Sequence, residues 1–152
     1  SVLRFEPKRT DVNPHAATYW ACASLAIDAN LPSHMPPWFT RGLAEVIANT
    51  IVRSDGVTFG QYVPWTVDNL RSRRLSFEEL TGAGWESPLL KDDTWRRMFD
   101  ASAWALVHYL MLGDAGANLP RFYKAMTAIA GGADADETFA AEYGGRLFNR
   151  QS

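Results

Sequence analysis

A chain of 152 residues with 47% apolar and 21% charged side chains has the composition of an ordinary globular protein, and its length suits one domain. A net charge of −2 argues against a general nucleic-acid binder, and 6 Trp, 5 Tyr and 8 Phe argue against disorder. No apolar run approaches the roughly 20 residues that cross a bilayer, so no membrane insertion is expected.

Val2 to Glu6 alternates weakly and predicts a short strand. Asn13-Pro14 reads as a helix N-cap followed by Pro at the first helical position, opening a helix over about 14–30. A loop from Leu31 to Pro37 ends in two prolines, which start a helix but do not continue one. The next helix is expected over about 37–53, because Phe39, Leu43, Ile47 and Ile51 recur every four residues. Ser54-Asp55-Gly56 marks a turn, and Val57, Phe59 and Tyr62 suggest a short strand or hairpin arm. Pro64 opens a short helix over 64–73. Ser76 and Glu79 fit a capping box that opens another. Residues 81–90 read as a loop.

The strongest element runs from Asp93, taken as its cap, to about Leu112. It is apolar nearly all round, which predicts a central buried helix. Helices over about 119–130 and 135–143 follow, the last capped by Asp134 with Glu137 at its third position. The expected fold is mainly α with a minor β element, in a single domain over 1–152 that is compatible with membership of a longer protein.

Few constellations carry recognisable chemistry. A nucleophile elbow, a P-loop and a dinucleotide-binding glycine pattern are all absent from the sequence. Asp134-x-Asp136 starts like a calcium loop, but Phe139 and Gly145 stand where Gly and Glu are needed. Cys22, the single cysteine, excludes a disulfide within the chain and sits among alanines, as small buried thiols often do. His15, His34 and His108 have no helical i,i+4 partner for zinc. Arg71, Arg73 and Arg74 form one basic cluster and Arg96-Arg97 another, both read as solvated faces. Trp38, Trp65 and Trp85 each follow Pro or Gly at an element edge, where they either pack or line a groove.

The segment Pro36-Pro37-Trp38-Phe39-Thr40-Arg41-Gly42-Leu43-Ala44-Glu45 resembles a motif of gluzincin metallopeptidases. More narrowly, it resembles the peptidase MA-like bacterial domains of mostly unknown function, which read Pro-x-Trp-Leu-x-Glu-Gly-Leu-Ala-Glu-Tyr. Ala103-Trp104-Ala105-Leu106-Val107-His108-Tyr109-Leu110 is similar to a helix packed behind that family's site. Gly132 to Phe139, with Glu142-Tyr143-Gly144, is similar to its final helix, so the resemblance spans about 14–148.

The resemblance implies a gluzincin-like helical subdomain and, in an active member, zinc held by His-Glu-x-x-His and a distal Glu. Here Arg41 stands at the distal ligand, and the family's spacing places Thr18, Tyr19 and Cys22 at the His, Glu and His. A second register aligns His15-Ala16-Ala17-Thr18-Tyr19 and keeps one His. A guanidinium carries a fixed charge and no lone pair for a metal. The implied reading is a degenerate pseudopeptidase with no catalytic residue, no metal and no cofactor. It would serve as an interaction or structural module for a protein or peptide partner, with no nucleic acid involved. Candidate cleft residues are His15, Trp38, Arg41 and Glu45, with Arg41 expected to pair with Glu45 or to anchor a ligand carboxylate.

Two alternatives stand beside it. One is a hydrolase using Cys22 with His15, or a metal (zinc being the alternative cofactor) held by His15 and Glu45. The other is a peptide or small-molecule binder using the former cleft, or the aromatic loops at Trp65 and Trp85. The chain opens at Ser1 rather than Met, which is compatible with removal of an upstream segment. The resemblance leans toward an exported or envelope-associated protein.

Overall fold

Proline and small polar residues set most of the helix starts. The structure, a computed structural model, describes residues 3–4, 15–58, 60 and 64–143. Helices α1 (Ala16–Asn30) and α2 (Pro37–Ala48) come first, then strands β2 (Ile51–Arg53) and β3 (Gly56–Thr58). Short helices α3 (Pro64–Ser72), α4 (Phe77–Gly82) and α5 (Pro88–Lys91) lead to the long α6 (Asp93–Leu112). A 3-10 turn at Asp114–Gly116 precedes α7 (Leu119–Ala130) and α8 (Ala135–Tyr143). Strand β1 (Leu3–Arg4) lies parallel to β3, with Leu3 opposite Val57, and β2 pairs antiparallel on the other side, giving the order β1-β3-β2. The architecture is mainly α with a minor β element, as the patterning predicts.

Helix α6 is the central post, with α2, α3, α5 and α7 packed around it. Its buried positions include Phe99, Ala103, Trp104, Val107 and Leu110. A cluster of rings joins α2 to α7 and α8. Trp38 lies edge-on to Phe39 at 5.6 Å, and Phe139 is 5.4 Å from Trp38 and 5.2 Å from Phe39. Each such ring taken fully out of water contributes roughly 1.5–3 kcal/mol. The Tyr143 hydroxyl donates to the Leu110 carbonyl at 2.6 Å and ties α8 to α6.

Gly42 sets how closely α2 and α6 approach. A Cβ added there would lie 2.5 Å from the Ala103 carbonyl oxygen, so only hydrogen fits. The two backbones therefore touch, and neighbouring side chains can reach across the crossing.

Several elements depart from the sequence-based expectation. Helix α2 ends at Ala48 and not near residue 53, because Ile51–Arg53 forms β2. The fourfold apolar spacing runs on to Ile51, but Thr50, Ile51 and Val52 are β-branched and favour a strand. The Asn49 side chain closes the helix by donating to the Glu45 carbonyl at 2.8 Å. Helix α5 falls in the expected 81–90 loop, opened by the Ser87 hydroxyl accepting from the Leu89 N–H. Asp92, not Asp93, caps α6, accepting from the N–H groups of Thr94 and Trp95. The Ser76/Glu79 capping box is present in both directions, and Asp134 accepts from the Glu137 N–H at 2.9 Å. The expected cap at Asn13-Pro14, the strand positions Phe59 and Tyr62, and most of Val2 to Glu6 lie outside the described residues.

Candidate functional site

Helix periodicity places Trp20, Ala23, Ser24 and Ile27 along the inner face of α1, against α2. Thr18 and Cys22 lie on the exposed outer side. Tyr19 is half-buried and its ring lies 6.4 Å from that of His15, the residue that precedes the helix. The chain thus presents Trp20 and Ser24, not Thr18 and Cys22, toward Arg41. His15 and Cys22 are seven residues apart, about 10 Å along the helix axis, too far for a direct hydrogen bond.

Arg41 on α2 reaches across the Gly42 contact to α6. Its Nε donates to Asp100 Oδ1 at 2.5 Å and its Nη2 to Oδ2 at 2.9 Å, a bidentate pair. Both side chains are only 19% exposed. Trp20 covers the guanidinium, whose carbon is 5.6 Å from the ring centroid. The hydrogen bonds to Asp100 hold Arg41 protonated above its ordinary range, against the opposing effect of burial. The partner expected from sequence was Glu45, one helical turn along. Glu45 instead lies beside the pair, where the charges of Arg41 and Asp100 both act on it. Burial, then the adjacent Asp100 carboxylate, push its carboxyl up to about 7 against the pull of Arg41 and Trp20. Asp100 was not singled out by the sequence: it is 59 positions away, and only the α2–α6 crossing brings it to Arg41.

A groove runs outward from this cluster. Its inner part, about 170 Å³, is lined by Trp20, Ser24 and Arg41; its outer part, about 290 Å³, by Leu31, Pro32 and Met35. Ile27, Asp28, Thr40 and Trp85 line both parts and make them continuous. The Trp85 indole N–H donates to the Met35 carbonyl at 3.2 Å, which fixes a ring that is 51% exposed. Glu45 does not line the groove.

The tryptophans singled out together part company here. Trp38, expected at the cleft, is 0% exposed and belongs to the aromatic core, since Pro36-Pro37 turns the first residues of α2 inward. Trp65 is exposed and lines neither part of the groove. His34 is exposed in the loop before α2. His108 is half-buried in α6, and its Nε2 lies 3.1 Å from the Gly60 carbonyl, so that nitrogen carries the proton. Burial lowers its pKa, consistent with a neutral structural imidazole.

Among the described residues, no three His, Cys, Asp or Glu side chains cluster in a way that could hold a metal ion. The groups around Arg41 are an indole, a hydroxyl, the already paired Asp100 carboxylate and the Glu45 carboxyl, with no imidazole or thiolate, and they do not fit a zinc centre. No family model matches the chain, and neither a curated protein nor a solved structure matches it.

Proposed function

We propose that the chain is a non-catalytic interaction module on a metallopeptidase-like helical scaffold. The observation that carries this reading is the bidentate Arg41–Asp100 pair under Trp20. In the gluzincin pattern that position belongs to a zinc-binding Glu. A guanidinium there brings a fixed positive charge, and its engagement with Asp100 makes the position a structural clasp between α2 and α6. Trp20 and Ser24, one turn apart on α1, line the groove together with Arg41; on this reading they, rather than Thr18 and Cys22, are taken as the counterparts of the pattern's two His. The groove beyond Arg41 is the surface through which such a module would meet a protein or peptide. An alternative reading as a hydrolase built on Cys22 and His15 has weaker support, given their separation along α1.

Two zinc measurements test the proposal. Chelator-stripped protein reloaded with equimolar zinc is expected to keep less than about a tenth of an equivalent after desalting. Retention near one equivalent would overturn the non-catalytic reading. Conversely, Trp20→His, Ala21→Glu, Ser24→His and Arg41→Glu together are expected to create a site holding about one zinc. If the folded quadruple variant binds no more zinc than the parent, the metallopeptidase-like scaffold is the wrong ancestor.

A further inference from the structure

We infer that the groove between α1, α2 and the Trp85 loop is a receptor for one cationic side chain, that of a lysine or arginine in a partner's peptide segment. The inference deepens the interaction-module reading and rests on it for the groove's role as a contact surface.

Charge is the first argument. Arg41 is the only cation lining the groove among the described residues, and Asp100 already holds it through two hydrogen bonds. Asp28 lines both parts of the groove, is exposed, and has no ion-pair partner among the described residues. Glu86, next in the chain to Trp85, is paired with Lys91 at 3.1 Å. The groove therefore keeps one uncompensated negative charge, at Asp28.

Shape is the second. The two adjoining parts, about 170 and 290 Å³, together lie in the lower part of the usual range of ligand pockets, roughly 300–1,000 Å³. That is room for one long side chain. Ile27, Leu31 and Met35 would take its methylene stem, as lysine and arginine stems commonly lie along apolar surface.

Aromatic chemistry is the third. Trp85 is pinned by its bond to Met35 and shares both parts of the groove with Asp28. An indole face beside a carboxylate is a cation-recognition pair. The same molecule uses indoles this way elsewhere: the Arg73 guanidinium lies 4.2 Å over Trp95, and Arg41 lies 5.6 Å from Trp20. Those two rings are engaged within the chain, while Trp85 has half its surface in water.

The test titrates the ¹⁵N-labelled full chain with three capped tripeptides, Ac-Gly-Lys-Gly-NH₂, its uncharged norleucine analogue and its glutamate analogue. The readout is the Trp85 indole N–H resonance, assigned by its loss in Trp85→Phe. The lysine peptide is expected to move that resonance saturably with a Kd in the millimolar range, about threefold to tenfold tighter than norleucine. Asp28→Asn, a substitution at an exposed position, is expected to weaken lysine binding by a similar factor and leave norleucine unchanged. Equal binding of lysine and norleucine would overturn the inference and leave an apolar contact groove. Preference for glutamate would overturn it in favour of Arg41 as an anion anchor. No movement of the resonance at about 20 mM of any peptide would overturn it too, while the non-catalytic reading would still stand or fall on zinc.

Discussion

Helix α2 meets two neighbours in opposite ways. Toward α6 it is sealed: Gly42 lets the backbones touch, and Arg41 clasps Asp100. Toward α1 the packing opens past Ile27 into a groove with Asp28 and Trp85 at its walls. The sealed side spends its charges on each other and the open side leaves one uncompensated. That difference separates what holds the fold from what is available to a partner.

The sharpest way to break the comparison is Trp38→Ala. Removing a ring fully enclosed by Phe39 and Phe139 is expected to cost about 3–5 kcal/mol in urea unfolding. A loss under about 1 kcal/mol would mean that this end of α2 is not core.

The clasp comes next. Asp100→Ala or Arg41→Met alone leaves a half-buried charge without its partner, and each is expected to cost about 2–3 kcal/mol. The double variant Arg41→Met/Asp100→Leu is expected to recover at least half of the summed loss. Strict additivity would show that the two side chains are not coupled. For Gly42→Ala, the collision with Ala103 is expected to outweigh alanine's better helix propensity, worth about 1 kcal/mol. The net loss should be about 1–2 kcal/mol.

The pH dependence follows from Glu45. Its carboxyl is raised from 4.5 to about 7 in the folded state, so between those values the native chain binds a proton that the unfolded chain releases. This contribution is fully present below about pH 4.5 and is lost as pH rises through 7. Glu45→Gln is expected to remove it, raising stability at pH 8 relative to pH 5 by on the order of 1–2 kcal/mol against the parent. An unchanged pH profile would show that Glu45 titrates normally. The smallest effect expected is that of Trp85→Ala, below about 1 kcal/mol, since half that ring is already in water.

Much of the fold is legible in the sequence because it is locally encoded. Ser76 with Glu79, Asp134 with Glu137, and the all-round apolar stretch after Asp93 announce helices through contacts only three or four residues apart. Ile51 misleads because its spacing fits a helix while its branching fits a strand, and pairing with Thr58 decides between them. The site is far less legible. An arginine four residues before a glutamate suggests a pair along one helix, yet the crossing offers a carboxylate with better bidentate geometry. Trp38 and Trp85 sit in similar local contexts, after Pro and Gly, and only the three-dimensional packing sends one to the core and the other to the surface. Asp100 carried no signal, because an acid on an apolar helix looks like a solvated position until its partner is known.

The exposed thiol of Cys22 has a practical consequence. It is the chain's single cysteine and lies on the outward side of α1, the helix whose other side walls the groove. A maleimide dye or nitroxide attached there gives a homogeneous, singly tagged population without mutagenesis. The tag leaves the groove clear while riding on the helix that a ligand would press against. Spectroscopy on the native chain can therefore follow how α1 moves as the groove fills.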